Sequence, residues 1–179
     1  VWTLLSHGED LYVGGQFTHI DGQTFLNHLV KWDGSDWFGL DCGAACGLKA
    51  AVRCVTYYNN QVHAGGDFHQ GAIDGSARRV ARLFDGFWYS VGNGIGPGAP
   101  SSDVVHTLTV YRGGLFAGGS FASPTSNLAR WNGTSWVSAS TPATVRAFAA
   151  YGSRMAIGGA FQQYTSGGDA FNLLSWNGT

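Results

Sequence analysis

The chain has 179 residues, 44% of them hydrophobic and 12% charged, with a formal net charge of −1; that length buries a sizeable core and allows one or two domains. Its 10 Lys and Arg residues are spread too thinly to form a stripe that would neutralise a phosphate backbone, so nucleic acid is not an expected partner. No run approaches the roughly 20 consecutive apolar residues of a membrane-spanning helix, so no membrane span is expected in this segment.

Glycine and aromatic content point to sheet. There are 28 glycines and 25 aromatics (11 Phe, 7 Trp and 7 Tyr), against 4 prolines and a single glutamate, Glu9. Helix-period patterning is missing, and short apolar runs recur between Gly, Asn and Asp. The chain opens at Val1 with neither an initiator methionine nor a signal-like segment, which reads as a processed product or an excerpt of something longer.

In chain order, the elements repeat. Val1, Val52, Val105 and Val145 each stand 13 positions before a double glycine: Gly14-Gly15, Gly65-Gly66, Gly118-Gly119 and Gly158-Gly159. Phe17, Phe68, Phe121 and Phe161 follow at one offset, and an aromatic with a turn dipeptide comes next. These are Trp32-Asp33-Gly34, Phe84-Asp85-Gly86, Trp131-Asn132-Gly133 and Trp176-Asn177-Gly178. A second tryptophan closes the first three repeats at Trp37, Trp88 and Trp136; the chain reaches Thr179 before a fourth. The repeats therefore run 1–51, 52–104, 105–144 and 145–179, with starts 51, 53 and 40 residues apart (52 − 1, 105 − 52, 145 − 105).

Each repeat predicts four strands. In the second, Val52–Tyr58 forms the first, Asn59-Asn60 a turn, and 62–64 leads into the double glycine as the second. Third strands are expected over 27–32 and 127–131. A type I′ turn at each Asp-Gly or Asn-Gly leads to closing strands over 37–40 and 136–139. A double glycine at the end of an inner strand suits a close backbone approach, and the tryptophans suit wedges between the outer parts of neighbouring units. A repeat of this size cannot bury its faces alone and is stable only when stacked on its neighbours. The expected architecture is an all-β propeller of four-stranded antiparallel blades, the fourth incomplete, in one domain over 1–179 that belongs to a longer protein or assembly.

The run Leu11-Tyr12-Val13-Gly14-Gly15-Gln16-Phe17-Thr18, then Ile20-Asp21-Gly22, then Leu29-Val30-Lys31-Trp32-Asp33-Gly34 and Trp37, resembles the propeller repeats of fungal cortical-marker cell-surface proteins. It is also similar to the delta-sixty class of bacterial repeats and, more distantly, to kelch repeats. The resemblance covers essentially the whole chain and implies a secreted or surface-displayed protein. Phe84 departs from the pattern by standing where the tryptophan is usual, and the short turn Asp85-Gly86 suggests local irregularity in the second unit.

Three groups of residues are candidates for chemistry. Cys42 and Cys46 lie in the connection between repeats one and two, while Cys54 takes a first-strand slot filled elsewhere by Thr3, Thr107 and Ala147. A local Cys42–Cys46 disulfide with Cys54 as a small buried residue is the leading expectation; pairing with Cys54, or three free thiols, are the alternatives. Zinc fits poorly, because no Cys or His pair nearby has the spacing of a four-ligand site. The histidines His7, His19, His28, His63, His69 and His106 do not recur between repeats and read as packed or surface residues, with His69 near Asp67 the least ordinary. Asn132-Gly133-Thr134 and Asn177-Gly178-Thr179 match the N-glycosylation pattern, although Asn-Gly also serves the hairpin turn alone.

Catalysis finds no support in motifs. There is no Gly-x-Ser-x-Gly elbow, phosphate-cradling loop or His-Glu-x-x-His, nor the Tyr and His copper-ligand set that kelch-like oxidases would need, so no enzyme activity and no cofactor are expected. The leading expectation is an extracellular structural or adhesive scaffold that self-associates, or binds another surface protein, through open strand edges and extends into filaments. The alternative is a carbohydrate-binding propeller with exposed Trp or Tyr between blades.

Overall fold

A computed structural model describes residues 1–24, 26–40, 48–70, 77–97, 102–139, 141, 143–160 and 172–177, without the side chains of 23 and 24. Every regular element among them is a strand. The first sheet orders β1 (Thr3–His7), β2 (Asp10–Gly14), β5 (Leu29–Trp32) and β6 (Trp37–Gly39), with a small hairpin, β3 (His19–Ile20) and β4 (Gln23–Thr24), set between β2 and β5. The second is β7 (Val52–Tyr58), β8 (Gln61–Gly66), β9 (Val80–Phe84) and β10 (Phe87–Ser90), and the third β11 (Val104–Tyr111), β12 (Gly114–Ser120), β13 (Leu128–Trp131) and β14 (Trp136–Ser138). The fourth has three strands among the described residues: β15 (Val145–Tyr151), β16 (Arg154–Gly159) and β17 (Leu173–Trp176). All pairs are antiparallel and each sheet is a meander, so the four-part repeat of the sequence is a repeat of sheets.

Turn chemistry differs between hairpins. Asn59 and Asn60, with φ of 47° and 58°, and Arg112 and Gly113, with 48° and 72°, give the two successive positive φ angles of type I′ turns. Among the predicted turns before the closing strands, only Asp85-Gly86 does so, with 51° and 78° between the paired residues Phe84 and Phe87. The supposed irregularity of the second unit is thus a regular two-residue turn, like the one at Asn59-Asn60. At Asp33-Gly34 and Asn132-Gly133 only the glycine has positive φ, and a four-residue loop separates Trp32 from Trp37 and Trp131 from Trp136. The reason is a side chain that replaces backbone partners. The Asp33 carboxylate accepts from the Ser35 and Asp36 amides, at 2.8 and 2.9 Å, and Asn132 Oδ1 accepts from those of Thr134 and Ser135, at 2.9 and 2.8 Å.

The sheets pack one against the next through their first strands, β1 on β7, β7 on β11 and β11 on β15. Three apolar clusters fill these contacts. Tyr12 and Leu29 of the first sheet meet Val52, Val55 and Trp88 of the second. Cys54 and Val80 meet Val105, Leu108 and Trp136, and Tyr111, Phe116 and Leu128 meet Val145, Met155 and Ile157. The core therefore lies between sheets, which is why one repeat would not fold alone.

Outer-strand tryptophans are wedges, as their spacing suggested. Trp88 and Trp136 are buried and donate their indole N–H backwards to the preceding unit: Trp88 to the Leu40 carbonyl and Trp136 to that of Val91, the latter at 3.0 Å. Trp37, in the corresponding place on the first sheet, is half-buried beside Trp32, ring centroids 5.0 Å apart.

Candidate functional site

The joint between sheets is a valine seated on a glycine. A Cβ built on Gly14 would lie 2.8 Å from Val52 Cγ1, and one on Gly65 would lie 2.8 Å from Val105 Cγ1; on Gly118 it would collide with Val145 Cγ1. Only a residue without a side chain lets the next sheet's first strand come so close. The second glycine of the middle two pairs answers a different demand, since a Cβ on Gly66 or Gly119 would strike the carbonyl oxygen of Ala51 or Val104 on its own sheet. Val52 N also donates to Gly15 O at 3.1 Å, so the first joint is hydrogen-bonded as well as packed.

That joint occurs three times and its two halves occur once more, apart. Val52, Val105 and Val145 are each 0% exposed, whereas Val1 is 73% exposed; Leu4, in the slot of the buried Val55 and Leu108, is 62% exposed. On the far side, Leu29, Val80 and Leu128 face the following sheet and are 2%, 0% and 2% exposed, but the equivalent Leu173 is 61% exposed. A Cβ on Gly158 would meet only Ala147 of its own sheet, at 3.9 Å, among the described residues. Among the described residues, the valine knob of the first sheet and the glycine seat of the fourth are thus exposed, while their counterparts at the three joints are covered.

A second feature is a groove of about 450 Å³ between the second and third sheets, lined by Tyr58, Gln61, His63, Arg82 and Trp131 among others. The equivalent positions between the third and fourth sheets, Tyr111, Phe116, Arg130 and Trp176, enclose about 60 Å³. Phe116 accounts for much of that difference: it replaces His63 and packs edge-on to Trp176, centroids 5.2 Å apart. His63 is buried, its Nδ1 lies 3.1 Å from the Gln61 carbonyl, and burial, aided by the Arg82 charge, pushes it down to about 4.

The other sequence candidates fall as follows. Cys54 is a buried free thiol that burial pushes up, which suits the small packed residue its slot implied and makes it a poor nucleophile. Cys42 and Cys46 lie outside the described residues, as does Phe161. Asp67 does not serve His69: its carboxylate holds the Arg53 guanidinium through both Nε and Nη2. Among the described residues no group of three His, Cys, Asp or Glu could hold a metal ion, and no helix is long and apolar enough to cross a membrane. Asn132 is exposed at its loop, with Nδ2 3.4 Å from Ser135 Oγ. Asn177 is exposed too, and Gly178 and Thr179 lie outside the described residues.

Two recurrent positions escaped the sequence reading because their residue types differ. His28, Arg79 and Asn127 precede the third strands with φ of 61°, 59° and 64°. Each backbone accepts from the second glycine of its repeat and donates to the carbonyl of the following Phe17, Phe68 or Phe121. Trp2, Arg53, His106 and Arg146, each one residue after the repeat valine, line one cavity together. Aligning the repeats on that valine would have revealed a recurring slot where single residue types did not. Neither protein-family models nor curated proteins give a match to this chain.

Proposed function

We propose that this chain is a non-enzymatic extracellular scaffold module of the β-propeller type, related to the cortical-marker and kelch-like repeats it resembles, and that it assembles with further copies through its two end sheets. The observation that carries this reading is the pair of unmatched half-joints, Val1 and Leu4 on one end and Gly158 and Leu173 on the other. Each resembles surface that is buried at all three internal joints. A contact between unlike faces is heterologous and extends head to tail unless the rotation closes a ring. Burying one Val or Leu side chain contributes roughly 1.5–3 kcal/mol, so leaving these exposed favours a partner of matching shape. The low charge of the chain and the exposed Asn132-Gly133-Thr134 loop accord with an extracellular, glycosylated setting.

Sedimentation velocity over a concentration series tests this. The parent chain should form assemblies that grow with concentration, and Leu4→Asp should remain the size of one chain while keeping its circular dichroism spectrum. A parent that stays a single chain throughout would remove the proposal.

The groove beside Tyr58 and Trp131 favours a second reading, carbohydrate binding, since an aromatic face flanked by Gln61 and Arg82 suits a sugar ring. A glycan panel probed with the parent and with Trp131→Ala separates the two: binding lost in the variant supports a lectin, and silence of the folded parent removes that reading.

A further inference from the structure

Trp2, Arg53, His106 and Arg146 come together because of a repeated backbone irregularity. In the second, third and fourth sheets the residue after the repeat valine is the extra one of a bulge. Pairing jumps from Val52↔Gly66 to Cys54↔Gly65, from Val105↔Gly119 to Thr107↔Gly118, and from Val145↔Gly159 to Ala147↔Gly158. In the first sheet Trp2 N donates to Gly14 O at 2.8 Å in the corresponding place. A bulge takes its side chain out of the pleat's in-and-out alternation and re-aims it. Here the bulges of three sheets, with Trp2 at the matching position of the first, deliver four side chains to a single cavity of about 190 Å³.

The contents of that cavity are cationic and aromatic. The Arg53 guanidinium lies over the Trp2 ring, 4.5 Å from its centroid, and is fixed there by Asp67, with Nη2 2.9 Å from Oδ2. Arg146 is exposed at the same cavity, and His106 is half-buried in it. Burial first, then the charges of Arg53 and Arg146, hold His106 below the usual imidazole range, and Asp67 opposes them. Two guanidiniums thus face one carboxylate, and that carboxylate is already occupied by Arg53.

We propose that this cavity binds a small oxyanion, a carboxylate or phosphate group, with Arg146 and His106 as its donors and the Trp2–Arg53 stack as its wall. A guanidinium fork matches either group in charge and geometry. The volume corresponds to roughly six water molecules at about 30 Å³ each, enough for such a group on a small ligand and too little for a folded segment. A metal cation would meet the wrong charge.

The test follows the His106 ring proton by NMR while sodium phosphate, and separately sodium acetate, is added at constant ionic strength with sodium chloride as the reference. Either oxyanion should give a saturable shift, with the imidazole titrating closer to its ordinary range when the site is filled. Arg146→Gln, a change at an exposed side chain, should weaken binding at least roughly tenfold, the loss of a charge-assisted hydrogen bond, with the unfolding midpoint unchanged. A response to only one salt identifies phosphate or carboxylate as the group recognised. A shift no larger than that of chloride, or equal affinity in Arg146→Gln, would overturn the proposal.

Discussion

Gly118→Ala and Gly158→Ala make one chemical change at equivalent positions of the third and fourth sheets, and the joint geometry predicts opposite results. At Gly118 the new methyl would lie 2.6 Å from Phe148 Cζ and collide with Val145 Cγ1. Ordinary carbon contacts are about 3.5–4.0 Å, so the fourth sheet must move away. Overpacking of this kind costs roughly 1–3 kcal/mol, against a gain of about 0.4–1 kcal/mol from the stiffer unfolded chain. Gly118→Ala should therefore destabilise by about 1–2 kcal/mol. At Gly158 the nearest atoms among the described residues are Ala147 Cβ and O at 3.9 Å, an ordinary contact, so only the gain remains and the dilute chain should be stabilised by about 0.5 kcal/mol. Urea unfolding followed by tryptophan fluorescence, at concentrations too low for assembly, reads both from midpoint shifts at constant slope. Equal shifts of the same sign would refute the idea that valine seats select these glycines. The same Gly158→Ala variant should also assemble less well, because its methyl occupies the seat.

His63 predicts a pH dependence. Its folded value is about 4 against an ordinary 6.5, so the unfolded state binds the proton first as pH falls. Its contribution to stability is complete above about pH 6.5 and is lost progressively towards pH 4, up to about 3 kcal/mol. In melts at about pH 7.5 and 4.5, His63→Phe, which copies Phe116, should lose at least about 2 kcal/mol less stability on acidification than the parent; equal losses would place the sensitivity elsewhere. Trp136→Phe removes the N–H that satisfies the Val91 carbonyl, and should destabilise by about 2 kcal/mol, while Trp37→Phe, at a half-buried ring beside Trp32, should cost less than about 1 kcal/mol. Chemical denaturation of the two variants side by side checks the order, and a larger loss at Trp37 would contradict the wedge assignment.

What was legible in the sequence had a hard steric cause. At the joints the first glycines, the valines and the closing tryptophans occupy places that a different shape would not fit, and from their recurrence the strand order followed nearly residue for residue. Positions whose demand falls on the backbone were hidden. His28, Arg79 and Asn127 share a left-handed φ and a hydrogen-bond pattern but no side-chain chemistry. The bulge residues likewise share an aim, into one cavity, while differing in type. Turn type was misread at Asp33 and Asn132 because a dipeptide does not reveal whether its side chain will bond two residues onward. The end faces became visible only with exposure, since Val1 and Val52 look alike in sequence and differ in what covers them.

The central claim, that the joint between sheets is also the joint between chains, is tested most directly by cross-linking. In a background with Cys42, Cys46 and Cys54 replaced by Ser, Ser and Ala, chains carrying Val1→Cys are mixed with chains carrying Gly158→Cys under mild oxidation. A covalent dimer that needs both variants is the predicted result. If the mixture gives no dimer, and one chain bearing both cysteines instead closes an internal disulfide at the mass of a single 19.0 kDa chain, the end sheets meet within one molecule and the claim is contradicted.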